Sequence, residues 1–259
     1  MQAAGIEMEL STFRYDSMME EINRLLLFYP FLEKTGIGNS VMGKEIPVLR
    51  IGSGTQEVFY GAAFHANEWI TAPILLQFAE EYAEAVASGM ELYGTDARSL
   101  YQQVTLYLAP LINPDGTDLV TGALASGMYY EGAKQIGASY PSILFPDGWK
   151  ANIEGVDLNL QFPAGWEMAR EIKFAQGYGM PAPRDYVGEF PLSAPESRAV
   201  YEFTLAHDFS LILAYHTQGE VIYWKYKDLE PARSREIAEY FGRVSGYAVE
   251  ETPYASGNA

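Results

Sequence analysis

The spacing of hydrophobic positions changes repeatedly along the chain, and each change marks a predicted element. In residues 16–28, Met18, Met19, Ile22, Leu25, Leu26 and Phe28 fall near a 3.6-residue period, with Glu20, Glu21 and Arg24 opposite. This predicts an amphipathic helix, stopped by Tyr29-Pro30. Residues 32–37 and 46–51 predict the two strands of a hairpin around Met42-Gly43-Lys44. The run Val58-Phe59-Tyr60-Gly61-Ala62-Ala63-Phe64 follows the polar Thr55-Gln56-Glu57 and predicts a buried strand. Residues 71–87 predict a helix with Ile74, Leu75, Phe78, Tyr82 and Ala85 on one face. A linker over 88–94 and a short helix near 96–103 lead to a strand over 104–109, which ends in a turn-rich run from Pro110 to Gly116.

Periodicity is poor over residues 120–154, where Gly, Ala, Ser and Tyr dominate, and a long surface excursion is expected. Gly155-Val156-Asp157-Leu158-Asn159 returns to the core, and residues 162–192 are irregular and proline-rich. Ser193 is the expected N-cap, and Pro195 the first-turn proline, of a helix running to about residue 207. Phe209-Ser210-Leu211-Ile212-Leu213-Ala214-Tyr215 predicts another apolar strand. A short strand over 221–224, a helix over 231–245 and a strand over 248–250 follow. Strands alternating with helices imply an α/β fold: a mixed, mainly parallel twisted sheet flanked by helices, in a single domain over residues 1–259.

Composition narrows the function classes. The formal charge of −17 argues against nucleic acid or an anionic membrane as partner. No apolar run is long enough for a membrane span. The first residues carry no basic segment followed by an apolar one, so no signal peptide is read and a cytoplasmic location is expected. A secreted or cell-envelope parent with its leader removed would leave the same chain. The absence of cysteine excludes disulfides and thiolate ligands.

The candidate chemistry sits in Phe64-His65-Ala66-Asn67-Glu68-Trp69-Ile70-Thr71, at the end of the first buried strand. A His and a Glu three apart on a tight loop can both turn toward one cation, and zinc accepts N and O ligands. The chain has only three histidines, His65, His207 and His216, and His216 closes the second apolar strand. Two histidines at strand ends supply the geometry of a His/Glu/His site. An exposed, unconnected HxxE pair is the bland alternative.

Four segments together resemble the zinc carboxypeptidases of the pancreatic carboxypeptidase superfamily. They are His65-Ala66-Asn67-Glu68-Trp69-Ile70-Thr71, Asn113-Pro114-Asp115-Gly116, Gly155-Val156-Asp157-Leu158-Asn159 and Tyr215-His216-Thr217-Gln218-Gly219. The resemblance implies His65, Glu68 and His216 as zinc ligands. It implies Asp157 as the carboxylate that orients the first zinc histidine, Asn159 as a substrate-site residue and Asn113–Gly116 as a supporting turn. Zinc chemistry would polarise a scissile carbonyl and activate water, with a glutamate moving the proton.

The departures concern the substrate. Family members that clamp a free terminal carboxylate follow the asparagine with an arginine, where this chain has Leu160. The HxxE often carries arginine where this chain has Asn67. Both losses argue against ordinary C-terminal trimming. The wording of Asn159-Leu160-Gln161-Phe162-Pro163-Ala164-Gly165-Trp166 and of His216-Thr217-Gln218-Gly219-Glu220 is similar to the bacterial γ-D-glutamyl-L-diamino-acid peptidases. That resemblance implies a peptidoglycan stem peptide as substrate and partner. Lys150 stands near the position of a family arginine that polarises the carbonyl, with a plain surface lysine as the alternative; Arg170, Arg184 and Arg198 are available for substrate carboxylates, with plain surface arginines as the alternative. Tyr254 lies one position from a family tyrosine that contacts substrate.

The family's general-base glutamate follows the region matching Tyr254-Ala255-Ser256-Gly257, so it is expected beyond Ala259, and the chain is expected to be C-terminally truncated, lacking the family's last strand and helix, able to bind zinc but impaired as an enzyme. Two rival readings remain: a zinc amide deacylase of the same ancestry, and a non-catalytic zinc- or peptide-binding module.

Overall fold

The computed structural model describes residues 13–252. Helix α1 (Tyr15–Phe28) buries Met18, Ile22 and Leu25, one stripe at helical spacing, as the periodicity predicts. Strands β1 (Glu33–Asn39) and β2 (Glu45–Gly52) form the expected antiparallel hairpin. Strand β3 (Gln56–Gly61) is shorter than the apolar run, because Ala63 turns into the left-handed region at φ 50°. Helix α2 (Thr71–Ser88) ends at Gly89, whose φ of 68° suits a residue without Cβ. The two-residue strands β4 (Glu91–Leu92) and β5 (Thr95–Asp96) pair ahead of α3 (Ala97–Gln103). Asp96 caps α3 by accepting from the Ser99 N–H. Strand β6 (Val104–Ala109) matches its predicted bounds.

The excursion holds more structure than the sequence pattern predicts. Helix α4 (Pro114–Val120) begins inside the expected turn, with Asn113 as N-cap. Helix α5 (Met128–Ala138) lies in the stretch expected to be irregular, and α6 (Trp166–Ala175) in the proline-rich one. The end of the first excursion is core rather than surface: Trp149 and Asn152 are fully buried. Helix α7 (Pro195–Leu205) has Ala194, not Ser193, at its N-cap. The Ser193 hydroxyl instead donates to Gln161 Oε1, a long-range partner that a local capping rule does not see. Strand β7 (Phe209–Ala214), strand β8 (Val221–Tyr223), helix α8 (Ser234–Ser245) and strand β9 (Ala248–Glu250) complete the described chain.

The main sheet runs β1-β2-β6-β3-β7. Its first two pairings are antiparallel, and β6-β3 and β3-β7 are parallel. Alternate residues divide between two cores, as the pleat requires. Leu49, Ile51, Val58, Leu106 and Leu108 pack under α1, α2 and α3. Val48, Phe59, Tyr107 and Ala109 face the other way, onto α7 and the returning segment with Val156, Leu158 and Tyr186. The result is three layers, with the carboxyl ends of the parallel strands β3, β6 and β7 opening at one rim. Strand β7 lies at the border of the sheet, with Ile212 47% exposed against 1% for Phe59 in β3. No described helix is long and apolar enough to cross a membrane.

Candidate metal centre

Beyond β3 the chain turns sharply, and three contacts hold that turn. The Ala63 N–H donates to Thr71 Oγ1, and Thr71 Oγ1 donates to the Glu68 carbonyl. The Ala63 carbonyl accepts from the Asn113 N–H. These fix Ala63 in its left-handed conformation and deliver His65 and a short 3-10 turn, Ala66–Glu68, onto the rim. A second segment presses on the turn: the Ala66 and Asn67 N–H groups donate to the Lys150 and Trp149 carbonyls. Asn113, fully buried, staples the two segments by donating through Nδ2 to the carbonyls of Phe64 (3.2 Å) and Ala151 (3.0 Å). The supporting role expected of Asn113–Gly116 is therefore visible in its contacts. A Cβ on Gly116 would stand 2.9 Å from Ala66 Cβ and 2.7 Å from the Ala151 carbonyl oxygen, so only glycine lets α4 approach this closely.

His216 arrives from the other side. The Tyr215 N–H continues the β7 pairing by donating to the Gly61 carbonyl, and the His216 ring stacks on Phe64 at 5.8 Å. His65, Glu68 and His216 thus meet, with one ligand atom from each lying within 4.8 Å of the others. Glu68 Oε1 is 3.2 Å from His65 Nδ1, and Glu68 Oε2 is 2.8 Å from His216 Nδ1. Ligands about 2.0–2.2 Å from a tetrahedral zinc stand about 3.3–3.6 Å apart, so the group is close to the spacing that zinc requires.

The donor chemistry fits a cation as well. His65 Nδ1 is buried and has no hydrogen-bond partner, which is costly unless something occupies it. Its other nitrogen is committed: His65 Nε2 donates to Asp157 Oδ1 at 3.3 Å. A carboxylate behind an imidazole fixes the tautomer and leaves Nδ1 to face the centre. Asp157 also accepts from the Asn159 N–H through Oδ1 and from the Asp185 N–H through Oδ2. His216 is the exposed member of the three, so the centre opens to solvent on its side.

Lys150 belongs to this cluster. Its Nζ lies 3.1 Å from Glu68 Oε1. The plain surface lysine is thereby corrected: the side chain is mostly buried against a buried carboxylate. Burial alone would lower the His65 pKa, but Asp157 and Glu68 outweigh it and hold it up at about 9. Burial would raise Glu68, yet the hydrogen bond to His216 and the adjacent His65 imidazole keep it well below the usual carboxylate range. Asp157 is lowered in the same way, with the His65 charge overcoming its burial. A cation bound here would take the place of the proton these groups share.

The other sequence candidates distribute unevenly. Asn159 lies in the short 3-10 turn Leu158–Leu160, directly after Asp157. Arg170 stacks over Phe174 and Trp166, and Arg198 is exposed on α7. Arg184 pairs through Nε with Asp185 Oδ2, on a segment bonded to the centre. Tyr254 lies outside the described residues. Sequence reasoning missed Asp185 and Lys173, which pair at 2.6 Å behind Asp157. Their only sequence trace is a lysine on the apolar stripe of α6.

Comparison with known proteins places these features in context. A family model described as zinc carboxypeptidase matches residues 18–257. A γ-D-glutamyl-L-diamino acid endopeptidase of Lysinibacillus sphaericus is 45% identical over 235 residues, covering 91% of this chain and 58% of its own length. An uncharacterised protein of Bacillus subtilis is 39% identical over 89% of this chain and 61% of its own length. The chain therefore spans less than two thirds of either relative. The crystal structure of carboxypeptidase A from Helicoverpa armigera superposes with a TM-score of 0.69 at 21% identity, over 96% of this chain and 60% of that one, which shows a shared fold.

Proposed function

Because the chain belongs to the zinc carboxypeptidase family, we propose that residues 1–259 form one metallopeptidase domain that hydrolyses peptide or isopeptide bonds, namely γ-D-glutamyl-diamino-acid bonds of peptidoglycan stem peptides. The observation that carries the reading is the convergence of His65 Nδ1, Glu68 and His216 Nδ1 on one point, with Asp157 behind His65. The substrate class rests on the 45% identity to an endopeptidase of that specificity. It also rests on Leu160 and Asn67 standing where carboxylate-clamping arginines would be.

His65, Glu68 and His216 would hold the zinc. Bound zinc supplies Lewis acidity, polarising a carbonyl and making water a nucleophile near neutral pH. Asp157 holds the His65 imidazole in the tautomer that turns Nδ1 inward. Lys150, whose Nζ lies 3.1 Å from Glu68 Oε1, would meet negative charge developing on the carbonyl oxygen. Asn159, two residues after Asp157, would line the approach. Among the three arginines available for substrate carboxylates, Arg184 is on a segment hydrogen-bonded to the site. Its Nε is used by Asp185. Glu68 and Asp157 are both committed to imidazoles, so no described carboxylate at the centre is free to act as the base.

The test compares ligands on the zinc-loaded chain. L-Ala-γ-D-Glu-diaminopimelate and a set of small N-acyl amino acids are titrated calorimetrically, and released diamino acid is followed by mass spectrometry. Binding or cleavage of the tripeptide, abolished by His65→Ala, supports the reading. Preference for the N-acyl amino acids turns it toward an amide deacylase.

A further inference from the structure

The segment from Pro183 to Tyr186 is held at both ends. The Pro183 carbonyl accepts from the Lys150 and Ala151 N–H groups at 2.8 and 2.9 Å, and the Tyr186 carbonyl accepts from the Asp157 N–H at 2.8 Å. Between these anchors Asp185 adopts φ 68°, the left-handed region that a residue with a Cβ enters at a cost. That conformation aims its N–H at Asp157 Oδ2, 3.0 Å away. Asp157 Oδ1 in turn receives His65 Nε2.

Something must hold Asp185 in this conformation, and its own carboxylate is pinned from two sides. Lys173 Nζ lies 2.6 Å from Oδ1, and Arg184 Nε lies 2.8 Å from Oδ2. Lys173 is 8% exposed, and a buried ammonium needs such a partner. It projects from α6, an element that makes none of the contacts described above to His65, Glu68 or His216. Hydrogen bonds therefore run without a break from Lys173 to Asp185, to Asp157 and to His65.

We propose that Lys173 and Asp185 are positioning residues of the metal centre: the Lys173–Asp185 ion pair locks the left-handed turn whose N–H fixes the Asp157 carboxylate, and that carboxylate sets the His65 ring. The inference rests on the zinc reading given above. A partner one step behind a ligand alters metal affinity by about 10–100-fold, and a partner one step further out should act more weakly, by about three- to ten-fold.

Zinc affinity is measured by competition with a chromophoric chelator for the wild type, Lys173→Met, Asp185→Gly and Asp185→Ala. Lys173→Met is also placed in an Asp157→Ala background. Thermal stability is recorded for each, together with the protected Nε2–H proton of His65 in the metal-free chain by NMR. With three histidines in the chain, that proton is assignable by substitution. Lys173→Met should weaken zinc about three- to ten-fold and expose the ring proton to exchange. In the Asp157→Ala background it should change affinity less than about two-fold, because the link it acts through is gone. Asp185→Gly, which enters the left-handed region freely, should lose less than Asp185→Ala. Lower stability with unchanged zinc affinity and an unchanged ring proton would overturn the proposal, as would an equal loss in both backgrounds. If Lys173→Met does not fold, the ordering of the two Asp185 variants decides. If the wild type binds no zinc, the proposed function fails, and the ring proton decides the positioning role: its loss in Lys173→Met supports that role and its persistence overturns it.

Discussion

The parallel strands carry a histidine–glutamate group at each end, and the two groups are built differently. At the amino end, Glu57 of β3 meets His207, which precedes β7. Both Glu57 oxygens lie 3.1 Å from His207 Nδ1. Tyr107 donates to the same carboxylate at 3.0 Å and the Asp208 N–H at 3.3 Å. Phe203 and Phe209 wall the ring at 4.5 and 4.9 Å. This pair closes on itself and ties the α7–β7 corner to β3. At the carboxyl end, one carboxylate faces two imidazoles, and His65 Nδ1 is left buried without a partner. The same residue types thus make a clamp at one rim and a group that could hold a cation at the other. What separates them is an imidazole nitrogen that neither accepts nor donates a hydrogen bond, on a ring held by a carboxylate behind it.

The largest expected effect falls on the carboxyl end. Glu68→Ala removes one ligand, and zinc affinity should drop roughly 10²–10³-fold, about a quarter share of the ~10–16 kcal/mol typical of four-ligand sites. Isothermal titration measures it, and an unchanged affinity would break the comparison. Asp157→Asn keeps the shape but removes the charge behind His65, so affinity should fall about 10–100-fold. A chelator competition assay reads this, and a loss as large as that of Glu68→Ala would make Asp157 a ligand instead.

The smallest effect belongs to the amino end and is one of stability. Burial would raise the Glu57 pKa, but hydrogen bonds from His207 and Tyr107 hold it below its ordinary value. A carboxylate lowered in the folded state contributes stability above its unfolded pKa and loses it as pH falls through the folded pKa. Glu57→Gln should therefore cost about 1–2 kcal/mol at pH 7, shrinking toward pH 3, with zinc binding unaltered. Urea unfolding at the two pH values checks the sign, and a deficit independent of pH would contradict it.

Much of this was legible in the sequence where the determinants are local. Strand β6 and the stripe of α1 follow from side-chain period, and His65 and His216 from their places just beyond apolar strands. Helices α5 and α6 were hidden for a physical reason. Helix α5 buries only Ala133 and Gly137, and α6 buries Lys173 beside Trp166 and Ala169, so neither shows a clean apolar stripe. Ser193 does not cap α7, because Gln161, far back in the chain, takes its hydroxyl. Lys173 and Asp185 meet partners brought together only by the fold, and no local pattern announces such contacts.

The two rims differ in which histidine would hold a metal. The direct measurement is zinc bound per folded chain by elemental analysis after equilibrium dialysis, for the wild type, His65→Ala and His207→Ala. The structure predicts about one zinc in the wild type and in His207→Ala, and none in His65→Ala. Zinc retained by His65→Ala, or lost from a folded His207→Ala, would contradict the assignment of the two rims.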